Sequence, residues 1–523
     1  MPSSFAAASP RHLIIPLLCF LSAIPSPAVA AAPPRGYYIN CGATKEESID
    51  GIPWIPDEGF VNGGNVSKIN APGILPLLST LRYFPDPKAR KNCFVIQVSK
   101  GSKYIVRTTY FYGGFDGGKE PPVFDQIIDG TRWSTVDTTQ NYAAGLTTYY
   151  EIIVAAQGKT LSVCLAKNVN SSSGSSPFIS GLEVVSLENS MYNSTDFSDY
   201  ALSTIARHRF GHDGSAISYP DDPFNRYWQS FIDANPVVEC HSNISSPEFW
   251  NFPPPAALMN ALTTSRGKEL HVNWPSFDLP DTSYYIALYF QDNRTPSPFS
   301  WRVFDIEVND KAFYKGLNVS AEGVMVYGSQ WPLSGKTKIK MIPASDSPVG
   351  PVINAGEIFQ IIPLGGKTLT RDVIAMENIA RSFTNPPPDW KGDPCLPKEN
   401  SWTGVTCDVN GSFARVAVLN LTNYGIAGVL SDSMGNLTAI SNIWLSGNKL
   451  TGEIPEMGNL NELASLRLAD NQFTGPIPSF LAKLPKIQEI FLQNNNLSGP
   501  VPESLKNRSG IDLRIPQGNQ VEI

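Results

Sequence analysis

Phe124-Asp125-Gln126-Ile127-Ile128-Asp129-Gly130 is echoed 180 residues later by Phe304-Asp305-Ile306-Glu307-Val308-Asn309-Asp310. A second pair, Pro177-Phe178-Ile179-Ser180-Gly181-Leu182-Glu183-Val184 and Pro351-Val352-Ile353-Asn354-Ala355-Gly356-Glu357-Ile358, keeps the same order at an offset of 174. An alternating aromatic run precedes each first copy, from Tyr104 to Phe111 and from Tyr284 to Phe290. Order and spacing held across three segments point to duplication. Period-2 alternation broken by Gly, Pro, Asn and Asp turns reads as β-strand. Residues 36 to 364 therefore predict two copies of one all-β module, folded as two sandwiches packed side by side.

Composition agrees. A chain of 523 residues predicts roughly three domains. Hydrophobic residues make up 42%, enough for real cores, while charged residues reach only 17% against a usual ~25%. The 41 Gly and 44 Pro suit short strands and turns better than long helices. Net charge is 40 − 47 = −7. That disfavours nucleic acid, which calls for a basic surface, and adsorption to anionic membranes.

Arg11-His12, an apolar run from Leu13 to Ile24 and Ala28-Val29-Ala30 form a secretory signal peptide over 1–30. Pro16 interrupts the run, which is too short to span ~30 Å of hydrocarbon. No later stretch is long and apolar enough for a membrane helix. Without Cys19 of the signal, six cysteines remain: Cys41, Cys93, Cys164, Cys240, Cys395 and Cys407. An oxidising compartment permits disulfides. Only Cys395–Cys407 is close enough in sequence to pair by proximity, and the other four stay open between bridges and buried thiols. N-x-S/T sequons begin at Asn65, Asn170, Asn193, Asn243, Asn293, Asn318, Asn410, Asn420, Asn436, Asn496 and Asn507. On an exported chain they predict glycans, which would keep a charge-poor surface soluble.

Tyr38-Ile39-Asn40-Cys41-Gly42, Leu81-Arg82-Tyr83-Phe84-Pro85, Tyr110-Phe111-Tyr112-Gly113, and Tyr219-Pro220-Asp221-Asp222 with Arg226 and Trp228 resemble a plant malectin-like ectodomain. The resemblance covers about two thirds of the chain and implies a tandem of malectin-like β-sandwiches.

From Val416 a period of 23–24 residues takes over. Leu445-x-x-Asn448-x-Leu450-x-Gly452-x-Ile454-Pro455 recurs as Leu468-x-x-Asn471-x-Phe473-x-Gly475-x-Ile477-Pro478 and as Leu492-x-x-Asn495-x-Leu497-x-Gly499-x-Val501-Pro502. This pattern is that of plant-type leucine-rich repeats, whose stacked leucines bury a core that no single repeat could. An earlier copy has Tyr424 in place of the Asn, as an irregular capping repeat would. Trp390-Lys391-Gly392-Asp393-Pro394-Cys395 and Trp402-x-Gly404-Val405-x-Cys407 resemble the N-terminal cap of such solenoids and the malectin–repeat junction of plant symbiosis-type receptor kinases. The expected order is module 1 at 36–205, module 2 at 206–364, linker and cap at 365–412, about four repeats at 413–506, and a tail at 507–523. The end would suit a truncated or splice-shortened membrane receptor.

Catalytic signatures fail on inspection. Gly113-x-x-x-x-Gly118-Lys119 mimics a phosphate loop, but Glu120 stands where Ser or Thr should hold Mg²⁺, and Pro121-Pro122 forbid the helix. His208 and His212 have helical metal spacing, with Gly211 between them and no Glu after His208. Asp221-Asp222, between Pro220 and Pro223, read as a turn cap. No enzyme, metal or cofactor is expected.

Binding surfaces remain. The malectin resemblance implies a sugar pocket of loop aromatics beside an Asp; Phe115 and Asp116 fall near that pair, with Tyr112 and Trp133 completing a stacking platform. In module 2 the matching stretch is Asn293-Arg294, so the pocket is half-kept in one module and lost in the other. In the solenoid, residues flanking the core leucines face the concave side: Asn420 and Thr422, Trp444 and Ser446, Arg467 and Ala469, Phe491 and Gln493. Trp, Arg and an aromatic on one face have hot-spot composition, and a glycan on Asn420 would narrow it. The expected function is extracellular or cell-surface recognition of receptor type, binding a secreted peptide, a cell-wall or N-glycan oligosaccharide, or a receptor kinase ectodomain. The alternative is a lectin-like protein with the solenoid as scaffold.

Overall fold

The computed structural model describes residues 35–522 except 119, 169–175, 240–248, 293–297, 300, 411–412 and 516. The signal segment 1–30 lies outside them. Among the described residues no helix is long and apolar enough to cross a membrane.

The duplicated segments occupy equivalent places. In module 1 the strand Gly181–Ser186 pairs with Lys103–Tyr110, which pairs with Thr148–Ala155. In module 2 Ala355–Pro363 pairs with Leu279–Phe290, which pairs with Val324–Gly335. Opposite each lies a four-stranded antiparallel sheet. Its members in module 1 are Asn92–Gln97, Thr160–Lys167, Phe124–Ile128 and Thr131–Val136. In module 2 they are Leu270–Asn273, Lys338–Pro343, Arg302–Val308 and Lys311–Val319. The echoed Phe-Asp strands are thus third in both. Phe94, Val106, Phe124 and Leu182 fill one sandwich, and Trp274, Ile286, Phe304 and Ile358 the other.

The two sandwiches are not merely side by side. The strand Tyr200–Phe210 pairs with Thr148–Ala155 on one edge and with Ala355–Pro363 on the other, fusing both modules into one eleven-stranded sheet. The expected boundary at 205/206 falls inside this strand, because the connecting backbone satisfies its hydrogen bonds in both modules.

A buried ionic chain crosses that seam. Arg107 lies between Glu151 (2.7 Å) and Glu183 (2.8 Å), and Arg207 between Glu151 (2.6 Å) and Glu357 (2.6 Å). All five side chains are at most 2% exposed. The two guanidiniums hold the Glu151 carboxyl down to about 2 against the opposing effect of burial. Charges this deep persist only when paired and hydrogen-bonded.

The solenoid has two sheets whose rungs run parallel, one of them edged by Val405–Asn410, antiparallel to the first rung. One contains Phe413–Asn420, Asn442–Trp444, Ser465–Arg467, Glu489–Phe491 and Asp512–Arg514; the other contains Ala427–Val429, Lys449–Gly452, Gln472–Pro476, Asn496–Pro500 and Gln520–Glu522. Asp512–Arg514 and Gln520–Glu522, expected as tail, form a fifth rung. Each repeat Asn bridges coils. Asn471 donates to the carbonyls of Leu445 (2.9 Å) and Leu468 (3.1 Å) and accepts from the Leu450 amide (3.0 Å). Asn519 does the same in the fifth rung, donating to Leu492 (2.9 Å) and accepting from the Leu497 amide (3.0 Å).

The helix Thr370–Ser382 buries Ala375, Met376 and Ile379 in the solenoid core. Cys395 and Cys407 are bridged, as are Cys93 and Cys164, direct partners on adjacent strands; Cys41 is a buried free thiol. Cys240 lies outside the described residues. The Gly-Asp-Pro-Cys segment lies on module 1. A Cβ on Gly392 would stand 3.0 Å from the Cys93 sulfur, and one on Gly130 2.9 Å from the Leu396 side chain. The Arg90 amide donates to Asp389 (3.1 Å), and its guanidinium to Ser401 (3.0 Å).

Candidate recognition surfaces

The module-1 loop does not form a stacking platform. Tyr112 is 1% exposed and its ring packs edge-on against Phe115, Tyr142 and other core aromatics. Its hydroxyl donates to Asp116, which also accepts from the Gly118 amide (2.9 Å), so this carboxylate closes its own loop. Trp133, on Thr131–Val136, is 5% exposed and donates its indole N–H to Ser203 (3.0 Å). Strand alternation turns Trp133 inward, and Tyr112, in the loop after Lys103–Tyr110, is held in the core by its ring contacts and its bond to Asp116. Phe115 alone remains half-buried, against Tyr83 at 4.9 Å between centroids. The matching Asn293-Arg294 of module 2 lies outside the described residues.

The candidate metal and acid groups are also committed elsewhere. His208 accepts from the Trp274 indole (3.0 Å), whereas His212 contacts Arg209 (3.2 Å). Asp222 is fully buried, paired with Arg226 (2.9 Å) and accepting from the Trp228 indole (2.7 Å) and the Phe224 amide (2.7 Å). It caps a turn and anchors the motif Tyr219-Pro220-Asp221-Asp222.

The concave solenoid face is built differently. Parallel pairing puts Asn420, Trp444, Arg467, Phe491 and Arg514 in one column, each the register partner of the next. The Arg467 guanidinium lies 5.0 Å from the Trp444 centroid and 5.2 Å from that of Phe491, and Arg514 lies 4.2 Å from Phe491. Aromatic and cationic planes thus alternate up the face. Glu489 accepts from Arg467 (2.8 Å) and Ser465 (2.7 Å), and Ser465 accepts from the Trp444 indole (2.8 Å). The hydrogen bonds from Ser465 and Arg467 hold the Glu489 carboxyl below its usual range. Gln493 is half-buried on the adjoining column. Sequence reading missed Arg514, although the step of 23 from Phe491 repeats that from Trp444 to Arg467.

Of the sequons, Asn65, Asn193, Asn318, Asn420, Asn436, Asn496 and Asn507 are exposed. Asn170, Asn243 and Asn293 lie outside the described residues, as does the side chain of Asn410.

Comparison with known proteins agrees with this architecture. The family model of the malectin-like domain matches residues 39–361, and that of the leucine-rich repeat matches 462–484 and 486–507. The probable LRR receptor-like serine/threonine-protein kinase PAM74 of Arabidopsis thaliana is 30% identical over 423 residues, covering 77% of this chain and 46% of that protein. The receptor-like protein kinase At3g21340 of the same plant is 30% identical over 432 residues, covering 79% and 47%. The chain thus spans about half the length of these relatives. Among solved structures, the ANXUR1 extracellular domain from Arabidopsis thaliana superposes with a TM-score of 0.52 at 15% identity, covering 62% of this chain and 97% of that one. The complex of plant peptide RALF23 with FER and LLG2 gives 0.51 at 19% identity, covering 63% and 96%. The chain belongs to the malectin-like domain family, in the form that carries plant leucine-rich repeats and is related to Arabidopsis LRR receptor-like kinases.

Proposed function

We propose that the chain is a non-catalytic recognition protein of receptor-like type, working outside the cell or at its surface. Its concave solenoid face would dock a secreted peptide or the ectodomain of a receptor kinase. The observation that carries this reading is the column Trp444–Arg467–Phe491–Arg514, half-buried at its first three members, exposed at Arg514, and pre-ordered by its own stacking and by Glu489. Side chains already held in place lose little rotamer freedom on binding. Asn420 begins the column, so a glycan there would confine a partner to the rungs from Trp444 onward. The structural relative crystallised with RALF23 and LLG2 gives the reading a precedent at the level of fold.

The test is co-purification of the secreted chain from plant extract, with mass spectrometry of what is retained. Retention of a peptide or receptor ectodomain, lost on Trp444→Ala or Phe491→Ala, supports the reading. Retention that ignores both substitutions sinks it. The lectin-like reading centred on Tyr112, Phe115, Asp116 and Trp133 has less support, since two of these rings are in the core and the carboxylate is engaged.

A further inference from the structure

The two modules differ at one row on the outer face of their four-stranded sheets. In module 1, Cys93, Cys164 and Ile127 stand directly opposite one another across three neighbouring strands. In module 2 the equivalent row is His271, Lys340 and Glu307. Glu307 follows Ile127 by the same 180 residues that separate the echoed segments. The module-2 row meets water: its side chains are 44%, 20% and 27% exposed, and Lys340 pairs with Glu307 (2.6 Å). The module-1 row is at most 3% exposed and carries no charge. With Ala166 it forms a cluster of its own, while the alternate residues Phe94, Val163 and Leu165 fill the sandwich core on the other side.

The solenoid cap covers this row. Gly392 has a φ of +72°, and a Cβ there would stand 3.0 Å from the Cys93 sulfur and 3.3 Å from the Ser162 Cβ. Glycine at this place lets the cap backbone lie directly on the bridge. Around it, Lys91 donates to the carbonyls of Asp393 and Leu396 (each 2.6 Å), the Arg90 amide to Asp389 (3.1 Å), and the Gly365 amide to Thr131 (2.9 Å). The Cys93–Cys164 bridge thus lies inside the joint between module 1 and the solenoid, outside the core of either.

We propose that this bridge is a redox-sensitive latch on the joint: it is reduced when the cap lifts, and its reduction keeps the cap lifted. A disulfide opens only to a thiolate that reaches one of its sulfurs, and with the cap down both cysteines are buried. Once opened, two thiol groups take more room than the bond they replace, and Gly392 leaves none over Cys93. Lifting and reduction therefore favour each other, a coupling that is reciprocal. The reductant is a dithiol. One of its thiolates attacks a cysteine sulfur and expels the other cysteine as a thiolate. Its second thiol then attacks the mixed disulfide and releases the first cysteine. Two electrons and two protons pass, leaving two cysteine thiols and one cyclic disulfide. The sheet itself persists, because its strands are held by the backbone ladder on either side of the bridge.

The experiment is timed reduction of the secreted chain by dithiothreitol under native conditions. Free thiols are trapped with N-ethylmaleimide and read by mass spectrometry of the Cys93 and Cys164 peptides. Lys91→Met, which loses two bonds across the joint, should speed their labelling at least about fivefold. Arg90→Ala, at an exposed residue whose guanidinium bonds Ser401 across the joint, should speed it at least about twofold and serves if Lys91→Met is not secreted. Asn471→Leu, which frays the far end of the solenoid, should leave the rate unchanged. Hydrogen exchange then reads the joint itself. In the reduced parent, protection should fall at the Arg90 amide, which donates across the joint, and persist along Thr160–Lys167. The proposal fails if the joint variants are reduced no faster than the parent, or if Asn471→Leu is reduced as fast as they are. It fails if reduction leaves the Arg90 amide protected. It fails equally if Thr160–Lys167 loses protection together with Arg90, since the bridge is then a staple of the sandwich.

Discussion

The ammonium of Lys91, at the start of a module-1 strand, donates to the carbonyl of Leu396 in the solenoid cap at 2.6 Å. A second bond of 2.6 Å reaches the Asp393 carbonyl, and the Lys91 side chain is fully buried. Burial pulls its pKa down to about 8, against the pull of Asp393, Asp389 and Glu399. Lys91→Met removes the donor and leaves two buried carbonyls unpaired, at a cost of about 1–3 kcal/mol. The loss should be read as faster proteolysis within residues 385–396 and a lower unfolding midpoint. The sign with pH is specific. A depressed lysine is charged more readily when unfolded, so its contribution grows as pH rises from about 8 toward 10.5. The stability difference between parent and Lys91→Met should therefore widen between pH 7.5 and pH 9.5.

Asp222→Ala should be among the most damaging single changes in the tandem. It strips Arg226, itself fully buried, of its carboxylate, and orphans the Trp228 indole. Breaking one partner of such a pair costs about 3–5 kcal/mol. Asp221→Ala, at the preceding residue but exposed, should cost less than about 0.5 kcal/mol. Equal losses in denaturant unfolding of the two variants would contradict the turn-anchor role.

Asn471→Leu keeps the branched shape of the side chain but none of its bonds to Leu445, Leu468, Ala469 and Leu450. At least two buried backbone groups lose their partner, so a cost of about 2–4 kcal/mol is expected. The fraying should spread through rungs three to five, because a solenoid couples only neighbours. Hydrogen exchange would show it as lost protection at Phe473 and Leu497, with module 1 unchanged.

What could be read from the sequence divides along a physical line. The duplication at 124 and 304 and the Leu-x-x-Asn repeats report local period, and local period is what sets strands and coils; both were legible. The continuous sheet was not, because nothing in Tyr200–Phe210 as a string says that both its edges are paired. Nor was the burial of Tyr112 and Trp133 visible, since an aromatic in a loop motif and an aromatic in a core have the same letter. Asn519 was hidden by one inserted residue: Ile515 and Asn519 are four apart where Leu492 and Asn495 are three; Arg514 lies ahead of that insertion and keeps the step of 23 from Phe491. The columns of the concave face, in contrast, followed directly from the 23–24-residue step.

His208 makes module 2 sensitive to acid. Its Nδ1 accepts the indole N–H of Trp274, a residue with no exposed surface, and that role requires the neutral ring. Burial holds the His208 pKa down to about 4, and burial together with Arg209 holds His212 at about 4. Both lie below the unfolded value of about 6.5, so the unfolded chain takes up these protons first. The stability they contribute is present above pH 6.5 and is lost as pH falls through the window to about 4. His208→Asn keeps an acceptor near the indole and cannot take the proton. Its unfolding midpoint should be close to the parent's at pH 7 and should fall less steeply between pH 6.5 and 4. His208→Asn with His212→Asn should flatten the profile further. Parallel profiles for parent and both variants would show that the acid response arises elsewhere, with the buried Glu151 and Glu183 carboxyls as the next groups to test.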